Sequence, residues 1–115
     1  MTPRTVIEAL QRAADRVGDL SLEAMAAVAL QYPECRAWDE CVRFAHIVGE
    51  LYSYDFEALR DAADRVGADT LKALAEAAVR TPYGAAAEEC AQFVVAVAGG
   101  PIGGVVFPQG PLRFT

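Results

Sequence analysis

Ile7, Leu10, Ala14 and Val17 recur at the spacing of one helical face, and Phe56, Leu59, Ala63 and Val66 repeat that spacing 49 residues further on. Both stretches predict a helix that buries the same side. Thr2 and Pro3 supply a start for the first, with a hydroxyl to cap free amides and a proline where a missing N–H costs nothing. Gly18 and Gly67 stand where a C-terminal cap wants positive φ, and Arg16 and Arg65 occupy the last turn, where a cation suits the helix dipole. A second pair of helices follows, opened by capping oxygens around Asp19 to Ser21 and Asp69 to Thr70. They bury Leu22, Met25 and Ala29 in one case, and Leu71, Leu74 and Ala78 in the other. Pro33 and Pro82 break the chain and open a third pair, with Thr81 as the N-cap of the later one. The clearest apolar stripe is here, Ala37, Cys41, Phe44 and Val48 in register with Ala86, Cys90, Phe93 and Val97.

That register is a duplication. Residues 8–30 match residues 57–79 without a gap at 13 of 23 positions, and AADRVG stands at both 13–18 and 62–67. The predicted fold is all-α: one domain over 1–115, with six helices in two tandem three-helix repeats at about 2–52 and 53–99. Two copies are fewer than the three or so an open solenoid needs, so the copies should close on each other as a compact pseudo-twofold bundle. After Gly99 the pattern changes. Residues 100–115 have no counterpart in the first copy and read as an extended Gly/Pro-rich tail, whose Val105, Phe107, Leu112 and Phe114 must pack on something.

A chain of 115 residues, 54% hydrophobic and 23% charged, is long enough to bury a core. Its formal charge of −6 and pI near 4.6 argue against nucleic-acid binding, which needs a lysine and arginine surface for phosphate. The N-terminus meets charge at Arg4 and Glu8, unlike a secretion signal, and three cysteines without paired spacing fit neither a disulfide framework nor zinc. A cytoplasmic protein with reduced thiols is expected. The uncharged run 90–112 raises a tail-associated membrane protein as an alternative, but glycines and Pro101 interrupt it near its middle.

Chemistry-bearing residues are few. Cys41 and Cys90 fall on the core stripe, where a thiol behaves as a small hydrophobe, whereas Cys35 has Gly84 as its counterpart and is the one candidate reactive thiol. No second histidine exists to serve it as a base, and His46 lies three turns further along the same helix. Asp39 and Glu40, with Glu88 and Glu89, diverge by about 100° around the helix as neighbours do, and no Glu-x-x-His accompanies them, so no metal or cofactor is expected. Asp39, Arg43, His46 and Glu50 form one polar stripe that the second copy lacks. Aromatic residues cluster at the end of the first copy, Trp38, Tyr52 and Tyr54 among them, as filler between the repeats or as anchors for a partner.

Function should lie where the copies disagree. The expectation is a non-enzymatic acidic adaptor or inhibitor that docks on another protein, or on a second copy as a homodimer. The binding candidates are Trp38, Arg43, His46, Glu50, Tyr52 and Tyr54, with Val105, Phe107, Leu112 and Phe114 of the tail. The rival is a small-ligand binder or enzyme with its pocket between the repeats, near Trp38, His46 and Cys35.

Overall fold

The computed structural model describes residues 2–99, which form six α-helices and no strand: α1 Pro3–Val17, α2 Leu20–Gln31, α3 Arg36–Gly49, α4 Phe56–Val66, α5 Asp69–Arg80 and α6 Ala85–Gly99. The tail lies outside the described residues. Helices α2 and α5 begin and end 49 residues apart, and the caps of α1 and α4 recur in kind. Thr2 Oγ1 accepts the Thr5 N–H, Asp55 Oδ1 accepts the Ala58 N–H, and Gly18 and Gly67 close their helices at φ 79° and 81°.

Two expected starts need correction. The third helices open not at Pro33 and Pro82 but at Arg36 and Ala85, because each proline stands inside a turn in which the Cys35 N–H donates to the Tyr32 carbonyl and the Gly84 N–H to the Thr81 carbonyl. Thr81 therefore terminates α5 rather than capping α6. At ψ 79° it has left the helical region, as a residue before proline must. Helix α5 begins at Asp69 as expected, but Asp69 and Thr70 do not cap it: its N-cap is Ala68, a residue with no side-chain oxygen to offer.

Asp19 makes good that deficit. Its Oδ1 accepts the Leu22 N–H at 2.9 Å, the ordinary cap of its own helix α2, and its Oδ2 accepts the Leu71 N–H of α5 at 2.8 Å. One carboxylate, 1% exposed, thus caps the second helix of both copies. Asp19 and Ala68 are counterparts in the duplication, as are Leu22 and Leu71.

Other counterparts also meet. The Phe44 and Phe93 rings lie 6.4 Å apart and tilted by 59°, and a Cβ placed on Gly49 would come 3.7 Å from the Ala98 Cα. Residues that touch their own duplicates mark a pseudo-twofold axis, and these two places trace it along the α3–α6 contact, while at the starts of α2 and α5 Asp19 bridges Leu22 and its counterpart Leu71. Apart from Ala9, Ala87 and Ala91, every buried apolar residue has a buried counterpart 49 residues away, as in Leu10 and Leu59, Ala26 and Ala75, or Cys41 and Cys90. The retained residues are the core. Symmetry fails at α1, which packs on both α3 and α6, whereas the shorter α4 packs on α3 and hardly reaches α6.

Candidate functional site: a tyrosine-rimmed groove

The copies part most visibly before their first helices. α1 begins at Pro3, but α4 begins at Phe56, the counterpart of Ile7, so the second copy lacks the first helical turn. Tyr52, Ser53 and Tyr54 stand where the first copy has Pro3, Arg4 and Thr5. A groove of about 480 Å³ opens here, lined by Tyr54, Asp55, Phe56 and Glu57 at the start of α4, by Val79 in the last turn of α5, and by Pro82 and Tyr83 of the turn that follows.

Phe56 is buried and gives the groove an apolar wall, with Tyr54 packed edge-on against it at 5.9 Å between ring centres. The tyrosines themselves face water: Tyr54 is 72% exposed, Tyr52 beside it 85%, and Tyr83 fully so. Asp55 uses Oδ1 to cap α4, while Glu57, in the first turn, makes no ion pair among the described residues. At the corresponding end of the first copy, Arg4 donates from Nη1 to the Leu30 carbonyl at 3.4 Å, and its Nε lies 3.6 Å from the Glu8 carboxylate.

The remaining candidates are scattered. Trp38 is half-buried and packs against the core, and Arg43 is exposed without an ion pair among the described residues. Of the polar stripe on α3, only His46 and Glu50 meet, Nε2 to Oε2 at 3.2 Å. Glu40 turns instead to Arg36, 3.0 Å away. His46 and Glu50 border a groove of about 330 Å³ between the copies, whose other walls are Pro3 and Val6 of α1, Val42, Ala45 and Gly49 of α3, and Val97 and Ala98 of α6. Neither Trp38 nor Cys35 lines it. Cys35 is the N-cap of α3, half-buried and without a side-chain cap bond, at the far end of the helix from His46. A third hollow of about 240 Å³ separates Arg16 and Val17 of α1 from Glu89, Gln92 and Phe93 of α6.

The two core thiols are poor nucleophiles. Burial first, then Glu40 and Cys35, pushes the Cys41 thiol up to about 12, and burial with Glu89 pushes Cys90 up to about 11. Among the described residues no three His, Cys, Asp or Glu side chains are grouped to hold a metal ion, and no helix is long and apolar enough to cross a membrane. Val105, Phe107, Leu112 and Phe114 lie outside the described residues.

Tyr52 and Tyr54 were visible in the sequence as candidates, but Tyr83 was not. Its counterpart is Glu34 and its nearest aromatic neighbours in the chain are distant, so the one available signal was the substitution between copies. Compared with protein-family models, with curated proteins and with solved structures, the chain matches none.

Proposed function

We propose that the chain is a non-enzymatic protein-binding module, an adaptor or inhibitor, which receives a segment of another protein in the groove between α4 and α5. The observation that carries this is the exposure of Tyr54 and Tyr83 on the rim of an apolar groove, with Tyr52 exposed close by in the chain, in the copy that lacks the first helical turn. Tyrosine gives a large, rigid contact area at low conformational cost, so such rings are typical interface anchors. Three free thiols, two of them buried, suit work in the reducing cytosol. A small-ligand or enzymatic reading has less support, since the groove beside His46 holds one histidine–carboxylate pair and no nucleophile.

The test compares proteins retained from cell extract by the full chain and by a Tyr54→Ala/Tyr83→Ala variant. Both side chains are exposed, so the variant keeps its helix content. A specific protein held by the first and lost by the second supports the reading. Equal retention by both, or none by either, overturns it.

A further inference from the structure

The duplication supplies a template for what the groove accepts. In the first copy, the end of the helix pair is served by the chain's own arginine: Arg4 reaches the Leu30 carbonyl in the last turn of α2 and pairs with Glu8. Each acceptor has its counterpart in the second copy, Glu57 for Glu8 and the Val79 carbonyl for that of Leu30. The donor does not, because Ser53 replaces Arg4. Glu57 and Val79 both line the groove, and Arg80, which follows Val79, does not. What remains is a carboxylate and the negative end of a helix dipole beside exposed tyrosine rings, in a chain whose formal charge is −6.

Resting on the groove as the binding site, we propose that the partner segment delivers an arginine into it, flanked by apolar residues. The guanidinium would fork onto the Glu57 carboxylate, donate to the carbonyl end of α5, and stack on Tyr54 or Tyr83, while the flanking residues cover Phe56 and Val79. Arginine suits the place better than lysine because its planar fork serves several acceptors at once and its face packs on aromatic rings. In the first copy, the corresponding arginine stands between Pro3 and Thr5 and leads into Val6 and Ile7, which sets the kind of neighbours to expect.

The test is a selection of random dodecapeptides displayed on phage against the full chain, followed by fluorescence anisotropy of the enriched peptides as synthetic ligands. The expected peptides share one arginine beside apolar residues. Replacing it by lysine or alanine weakens binding about tenfold or more, as loss of a charge-assisted, bidentate contact should. Glu57→Gln weakens it several-fold, and Tyr54→Ala/Tyr83→Ala abolishes it. Peptides that need the tyrosines but are indifferent to their own arginine and to Glu57 would overturn this inference and leave the groove as the binding site. Peptides that ignore the tyrosine variant, or no enrichment on either the full chain or its Arg113→Ala variant, would overturn both. Binding that appears only in a full chain carrying Arg113→Ala would assign the seat to the chain's own last charged residue and overturn the partner's arginine.

Discussion

At Ala68 the second copy has a methyl group where a helix start wants an oxygen, and the Leu71 N–H finds its acceptor in Asp19, 52 residues away. Asp19→Ala would leave two buried N–H groups without partners. A loss of about 2–4 kcal/mol is expected, from two caps and the desolvation of their donors, read as a lower urea midpoint. Ala68→Asp in the native chain should also destabilise, by placing a second carboxylate beside a buried one. In the Asp19→Ala background the same change should recover part of the loss, because either position can supply the shared cap. A double variant no more stable than Asp19→Ala would contradict the shared cap. A second residue-level contrast concerns Asp64 and Lys72, which pair at 2.9 Å, where the first copy sets Asp15 against Glu23. Burial, then Asp15, raises the Glu23 carboxyl above its ordinary 4.5, so the stability it confers is present below that value and lost as pH rises through the higher folded value. Neutral pH therefore carries a penalty. Glu23→Lys should raise the melting temperature at pH 7, and the gain should shrink toward pH 4, where Glu23 in the native chain takes up a proton and no longer opposes Asp15.

Among the elements, helix identity and pairing were legible in the spacing of apolar residues, but helix caps were legible only where they are local. Thr2, Asp19, Gly18 and Gly67 act on their own helices and could be read directly. The start of α5 at Asp69 was legible but its cap was not, since the cap comes from the other copy. Pro33 and Pro82 were misplaced because a proline suits a turn as well as a first helical residue, and only the Cys35 and Gly84 amide bonds distinguish the two. The groove was half legible: Tyr54 by its clustering with Tyr52 in the chain, but not its convergence with Tyr83, which needs the turn after α5 to be placed. Cys41 and Cys90, by contrast, are buried as the helical stripe of α3 and α6 requires. Their thiols make that burial measurable. In the unfolded chain they titrate near the ordinary 9.0, but in the fold near 12 and 11, so stability is intact below about pH 9 and falls as pH climbs through that window. The unfolded state releases protons the folded state must keep. A Cys41→Ala/Cys90→Ala variant should show a shallower loss of stability between pH 9 and 11 than the native chain. At pH 8, a thiol reagent should label Cys35 rapidly, and the other two only as the protein unfolds.

For the whole molecule, the contacts between the copies predict one folding unit rather than two. Each triplet is too small to bury a sufficient core alone. The second also depends on the first for the cap of α5, and α3 and α6 cover each other around Phe44 and Phe93. Residues 53–99 as a separate peptide should therefore show little helix by far-ultraviolet circular dichroism. Mixing with residues 2–52 should restore helix content in a concentration-dependent way, because association then supplies what the covalent chain supplies in the native protein. Ala68→Asp in the isolated 53–99 peptide gives α5 a cap of its own and should raise its helix content, yet leave it short of the mixture, since a cap replaces Asp19 but not the facing helix α3. A 53–99 peptide that folds cooperatively alone, with a urea midpoint near that of the full chain, would show the copies to be independent domains and remove the pseudo-twofold interface as the source of stability.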